Sequence, residues 1–375
     1  MTTPDPPIAD ALVIGAGVMG CASALALARE GLRVEVLERS VPGAEASSAA
    51  AGMLAAQVEA HAVGPFLALS IESRARFPAL AEELRALTGI DVEHRACGSL
   101  KLAFDEAAEA ELVATRDAHA AIGLEAEIVG RAALSALEPA IGERARAGIS
   151  FPGDARIDPP LYLRALRIAA EKKGARFRSG GVVRGVALSE GRAVGVELAD
   201  GSILRGRHVV LAAGSWSNLV TGTGIPARTI RPARGQIIEL RVPAPLFRRL
   251  IVGPRAYLSP RDDGRVLVGS TLEFVGYEKR VTAGAVAALL AGAIELVPAL
   301  ADAELGSAWS NFRPFTDDEL PLIGEGAFPG LVLATGHYRN GILLSPITAE
   351  IVKDLVLGRR PSVDVSPFAA TRSVH

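Results

Sequence analysis

A strand-turn-helix-strand run near the start of the chain constrains its fold more than any other feature. Ala11-Leu12-Val13-Ile14 is a continuous apolar strand, and Gly15-Ala16-Gly17-Val18-Met19-Gly20 is a G-x-G-x-x-G turn that opens an alanine-rich helix over residues 18–30. Gly31 stands where that helix should stop, and Val34-Glu35-Val36-Leu37 forms a second strand ending on Glu38, 18 positions after Gly20. Each part has a physical reason. Gly15 permits the tight turn, Gly17 lets backbone approach a pyrophosphate, and Gly20 lets helix pack on strand. The helix N-terminus, at Val18 and Met19, offers amide donors and partial positive charge to phosphate, and Glu38 can accept from ribose hydroxyls. The unit therefore predicts an ADP-containing cofactor without a 2′-phosphate, which Glu38 would repel.

The rest of the composition narrows the class. A chain of 375 residues can bury a large core and is expected to form two domains. Although 49% of the residues are hydrophobic, no apolar run reaches the ~18 residues that a spanning helix requires. Residues 1–7 lack the basic stretch and apolar core of a signal peptide. The formal net charge of -2 favours neither nucleic acid nor an anionic membrane surface. Cys21 and Cys97, the two cysteines, suggest neither a disulfide framework nor a metal site. These features predict a cytoplasmic protein with no membrane, nucleic-acid or metal partner.

Further along, residues 70–88 predict an amphipathic helix, residues 99–104 a strand, and alanine-rich sequence a helical region to about 138. A break at 151–159 leads into a helix over 160–173. Four strand-like segments between Ala175 and Leu211 are divided by Gly180-Gly181, Glu190-Gly191 and Asp200-Gly201, which are turn signals for antiparallel pairing. The last of the four, His208 to Leu211, reads as a strand buried in a parallel sheet. Residues 226–325 alternate short strands with turns around one helix at 283–297, and Leu331 to Ala334 opens a closing strand-loop-helix unit. The expected fold is α/β: a discontinuous FAD-binding Rossmann-like domain of the glutathione-reductase type (8–90, 145–225 and 324–365) with a mainly antiparallel β substrate domain (91–144 and 226–323). Glycine-rich strand-loop-helix units at both ends of the chain suit FAD, whose two ends are gripped by segments distant in sequence.

Three strings make the chain resemble the D-amino-acid oxidase superfamily of FAD-dependent oxidoreductases, most closely its branch of glycine oxidases of thiamine biosynthesis. They run from Ser48 to Leu54, from Leu211 to Ser217 and from Gly336 to Leu344, and the resemblance spans about residues 10–360. It implies noncovalent FAD, because no cysteine lies in Arg313 to Asp318. It also implies cofactor-binding roles for the turn residues Gly15, Gly17, Val18, Met19 and Gly20, for Glu38, Arg39, Ala46 and Ser47 on the following loop, and for Gly214. The backbone of Ala51, Gly52 and Met53 would face the flavin ring, and Val182 would hold the adenine through its main chain. His337, Tyr338, Arg339, Asn340, Gly341, Ile342 and Leu343 would form the loop beside the flavin pyrimidine, with His337 a loop residue rather than a base.

Arg313 matches the superfamily's carboxylate-binding arginine; a guanidinium fork fits a carboxylate in shape and charge. A structural ion pair of Arg313 with Asp317 or Asp318 is the competing reading. Tyr257 matches the tyrosine that closes over substrate, or it is a core residue. Arg339 matches a contact to substrate or flavin, or it braces the loop. Leu272 stands where the branch has methionine over the pocket, and Ala46-Ser47 where hydroxyl residues are common, so one phosphate or ribose hydrogen bond is expected to be missing. The resemblance implies oxidation of glycine, other small amines or D-amino acids by hydride transfer from Cα to flavin N5, giving imine and hydrogen peroxide, in a homotetramer. A D-amino-acid or sarcosine oxidase or dehydrogenase, a nicotinamide-dependent reductase and a noncatalytic FAD-binding subunit remain as alternatives.

Overall fold

The computed structural model describes residues 8–60 and 62–372. Two sheets carry the molecule. In the first, strand Ala9–Ile14 lies between Val34–Glu38 and Ile203–Leu211, and all three run parallel. Arg176–Ser179 extends the sheet in parallel on one side and Leu331–Thr335 on the other, and Leu322–Glu325 closes it antiparallel. Strands from the start, middle and end of the chain thus meet in one layer, as the glycine-rich units at both termini predict.

Helix Val18–Arg29 is buried from Val18 through Ala28, which explains its lack of a polar face. It packs against Pro159–Lys172 and Gly341–Val356. A Cβ at Gly20 would collide with the Gly15 carbonyl oxygen, so this close approach of helix to turn requires glycine. Pro346, inside the last helix, has no N–H to bond the Ile342 carbonyl, and the Ser345 hydroxyl donates to that carbonyl instead at 2.8 Å.

The second sheet has eight strands, Glu304–Phe315, Arg231–Arg241, Arg265–Gly269, Tyr257–Pro260, Leu250–Val252, Ser99–Ala103, Ala147–Phe151 and Glu127–Gly130 in spatial order. Only Leu250–Val252 and Ser99–Ala103 pair in parallel. A separate apolar core, including Leu100, Ile238, Leu258 and Leu289, fills one side of it.

Several local expectations shift. The helix expected over 70–88 is two helices, Pro65–Arg74 and Phe77–Thr88, because Pro78 starts a new first turn. The alanine-rich stretch to 138 contains strand Glu127–Gly130 between helices Glu106–Ala120 and Arg131–Leu137. Of the four segments between Ala175 and Leu211, only the last three form the antiparallel meander; Arg176–Ser179 joins the parallel sheet beside Val34–Glu38. Ala147–Phe151 pairs in the second sheet, so the change of sheet follows Phe151 rather than residue 145. Among the described residues, no helix is long and apolar enough to cross a membrane.

Candidate active site

A cleft of about 680 Å³ runs between the sheets, a size suited to a large cofactor with a small substrate. Gly15, Gly17, Val18, Met19, Glu38, Arg39, Ala46, Ser47, Val182 and Gly214 all border it, and so do Arg313, His337, Tyr338, Arg339, Gly341 and Ile342. Gly20, Ala51, Gly52, Met53, Asn340, Leu343, Tyr257 and Leu272 do not form its wall. Gly20 lies behind the turn, and Tyr257, Ala51, Ile237, Leu267 and Trp309 form a small apolar cluster beside the cleft. Leu272 is 46% exposed on the segment after strand Arg265–Gly269.

At one end, the sequence turns the backbone into a ready donor. Gly15 takes φ +99°, and no side chain caps the helix at Gly17. The first helical turn holds no acidic residue, so its partial positive charge is left for an incoming anion. Glu38 accepts from the Ala16 amide at 2.9 Å and from the Ser40 amide at 2.9 Å, which fixes the carboxylate at the strand end. Ser47 Oγ, on the following loop, accepts from the Val18 amide at 2.9 Å. Beyond it, the Val182 amide donates to the Gly180 carbonyl and its own carbonyl accepts from Ala199.

At the other end stands Arg313, on the long strand Glu304–Phe315 paired with Arg231–Arg241. Its guanidinium folds across Gly235, where a Cβ would collide with it. Nη1 donates to the Thr271 carbonyl at 3.0 Å and Nη2 to Ser270 Oγ at 2.6 Å. The competing ion pairs are ruled out by occupancy: Asp317 pairs with Arg231, and Asp318 with Arg372 at 2.6 Å. Burial lowers the Arg313 pKa from its usual value. Glu273 receives Thr271 Oγ1, Gln236 Nε2 and Arg234, which pins the segment that holds Arg313. Burial raises the pKa of Tyr257, the nearby Arg313 charge opposing it, so its hydroxyl remains a protonated donor.

His337 is buried, its Nε2 lies 3.0 Å from Thr348 Oγ1, and burial pushes its pKa down to about 3. A neutral, hydrogen-bonded imidazole is a structural part of the loop. Arg339 lies 3.9 Å from Glu59 and stacks over the Tyr338 ring at 5.0 Å. Among the described residues, the buried Tyr338 hydroxyl has no hydrogen-bond partner, and Tyr338 borders the cleft. An orphaned donor, a helix end with no acidic residue in its first turn and a continuous cleft together fit FAD; Gly15 to Met19 and Glu38 would hold its phosphate and ribose portion, with the Arg313 end left to the flavin and substrate.

Sequence reasoning passed over several wall residues. Trp216 carries the Arg39 guanidinium 3.9 Å above its ring and stacks with Tyr277 at 5.5 Å. Gly235, Asn311, Arg184 and Thr221 also border the cleft. Trp216 lay inside a diagnostic string and so carried a signal; Gly235 carried none, since its role depends on a cross-strand neighbour.

Comparison with known proteins agrees with this geometry. The family model "DAO: FAD dependent oxidoreductase" matches residues 10–355. The chain is 36% identical over 369 residues to the glycine oxidase of Geobacillus kaustophilus, covering 97% of each. The crystal structure of glycine oxidase from that organism superposes with TM-score 0.94 at 35% identity, covering 98% of this chain and 99% of the other. The chain is also 36% identical over 371 residues to the "Bifunctional protein ThiO/ThiG" of Nostoc, covering 97% of this chain but 55% of that protein, so it spans about half that relative's length.

Proposed function

From the premise that the chain belongs to the DAO family of FAD-dependent oxidoreductases, we propose that it oxidises glycine and other small primary or secondary amines. The carboxylate end of such a substrate is recognised by Arg313. One observation carries this reading: among the described residues, the Arg313 guanidinium reaches the cleft with hydrogen bonds to a carbonyl and a hydroxyl, and both aspartates that follow it in sequence pair with other arginines. When bound, FAD would supply a two-electron acceptor for the Cα hydride and pass the electrons to oxygen as hydrogen peroxide, and water would release ammonia from a primary amine substrate, or a primary amine from a secondary one, with the 2-oxo acid.

The protein's own task is then orientation. Arg313 fixes the carboxylate, Tyr257 keeps a neutral hydroxyl near the Arg313 guanidinium from beside the cleft, and Arg339 supplies a second cation at the cleft margin. The helix that starts at Gly341 directs its positive end toward the same region. A general base is unnecessary when the amine binds neutral, and His337, already neutral and bonded to Thr348, does not serve as one. Cys21 is buried with its pKa raised, and neither cysteine borders the cleft, which supports noncovalent FAD. The ThiO/ThiG relatives support a role in supplying glycine imine to the thiazole of thiamine. The test is a peroxide-coupled panel of glycine, sarcosine, D-alanine and D-proline on the purified yellow protein. Turnover of glycine supports the proposal; turnover of D-proline alone replaces it with a D-amino-acid oxidase.

A further inference from the structure

Of the buried side-chain polar atoms that lack a hydrogen-bond partner among the described residues, only the Tyr338 hydroxyl belongs to a residue on the cleft wall. Tyr338 is 5% exposed. A buried donor is costly to leave unpaired, so beside an open cleft its partner is expected to come from the ligand.

The sheet places this residue next to Arg313. Ala233 pairs directly with Arg313 across strands Arg231–Arg241 and Glu304–Phe315, and Phe315 stands two residues beyond Arg313 on the same strand. Both neighbours therefore share a sheet face with Arg313. Tyr338 packs against both of them, meeting the Phe315 ring edge to face at 5.0 Å. The Arg339 guanidinium lies over the Tyr338 ring at 5.0 Å. The backbone is held as well. The Asn340 amide donates to the His337 carbonyl at 2.9 Å, and Tyr338 takes φ +45°, which a bulky residue adopts only where its surroundings impose it. After burial, Tyr257, Tyr338 and Arg339 are the neighbours that most affect the Arg313 pKa.

Tyr257 is placed differently. It belongs to the apolar cluster beside the cleft and does not border it, and a Cβ at Gly269 would strike its hydroxyl. The phenol on the wall is that of Tyr338. A phenol donor close to two guanidinium groups is matched by an anion with several lone pairs, which is what a carboxylate offers.

We propose that Tyr338 is a substrate-binding residue whose hydroxyl donates to the same carboxylate that Arg313 holds. The inference rests on the amine-oxidase reading above. The guanidinium takes the charge, and the phenol occupies a further lone pair, fixing how the carboxylate is turned and thereby where Cα points. A hydroxyl that gains its partner only in the complex leaves a specific signature: its loss weakens binding without weakening the fold.

The test compares flavin-loaded parent protein, Tyr338→Phe and Arg313→Ala. Tyr338→Phe removes the oxygen alone. Affinity for glycolate, read from the flavin absorbance, should fall about tenfold, and kcat/KM for glycine should fall similarly, chiefly through KM. The ligand-free melting temperature should hold or rise, and the flavin midpoint potential should stay at the parental value. Parental glycolate affinity in Tyr338→Phe would overturn the proposal. A lower ligand-free melting temperature, or failure to fold, would also overturn it by showing that the hydroxyl bonds within the protein. A shifted flavin potential without loss of glycolate affinity would assign the hydroxyl to the cofactor instead. Arg313→Ala separates the two readings. If it binds glycolate as the parent does, the carboxylate site itself is misassigned and both fall. If it loses glycolate while Tyr338→Phe keeps it, only the role of Tyr338 falls.

Discussion

At the Gly15–Gly20 end of the cleft, the bonds that shape the wall come from residues close in the chain: Glu38 reaches the Ala16 amide across 22 positions, and Ser47 reaches the Val18 amide across 29. At the Arg313 end, the equivalent bonds to Thr271 and Ser270 span 42 and 43 positions and depend on the register of three antiparallel strands. The near end is part of the core itself, since its helix is buried along its length. The far end is a side chain laid over an already formed sheet. Damage at the near end should therefore cost folding and cofactor retention together. Damage at the far end should cost substrate handling and leave the folded, yellow protein intact.

The sharpest way to break this distinction is Arg313→Ala. Removing one partner of a desolvated charge pair costs about 3–5 kcal/mol, so kcat/KM for glycine should fall by about 150- to 5000-fold. The melting temperature and flavin content should stay near those of the parent. A variant that loses flavin along with activity would show that the two ends are not separable.

The opposite arm is Gly20→Ala. The added Cβ meets the Gly15 carbonyl, which is backbone and cannot rotate aside. Overpacking of this kind costs about 1–3 kcal/mol, read as a lower melting temperature and a shorter lifetime of the flavin complex. Unchanged flavin retention would mean that the turn relaxes and that the helix approach is not tight.

Gly235→Ala separates position from charge at the far end. The new methyl would collide with the Arg313 guanidinium, leaving its charge in place but displacing the fork. About a tenfold rise in KM for glycine is expected, worth about 1.4 kcal/mol, with a smaller effect on kcat. An unchanged KM would mean that Arg313 does not need this cradle.

These predictions also mark how far the sequence could be read. The turn, its helix and Glu38 were legible because their chemistry is carried by local spacing, and Gly20 behaves as its place in the motif requires. Arg313 was identified by its string, but its freedom from Asp317 and Asp318 was not readable, since it depends on Arg231 and Arg372 occupying them. Gly235 looks like any strand glycine until its neighbour across the sheet is known. Strand Glu127–Gly130 was hidden for the converse reason: its surroundings are alanine-rich helix formers, and only pairing with Ala147–Phe151 makes it a strand. Arg261 follows a Ser-Pro strand end, and nothing in that local sequence says that it is buried.

His337 lies on the loop that joins the two ends, and its protonation gives the smallest and most discriminating test. Its pKa is about 3 in the folded protein, against a reference value of 6.5. Between those values the unfolded chain binds a proton that the native state refuses, so stability must fall as pH drops below 6.5. The contribution is absent well above that point and amounts to about 0.8 kcal/mol at pH 6, rising by about 1.4 kcal/mol for each further unit. His337→Gln keeps a polar group near Thr348 but does not titrate. Its stability between pH 7.5 and 6, measured by urea unfolding of the flavin-loaded protein, should be flatter than the parent's by about 0.8 kcal/mol, whatever its absolute value. Equal slopes would mean that the imidazole takes up a proton in the folded state. The loop would then carry a titrating cation beside the cleft, and a catalytic role for His337 would have to be reopened.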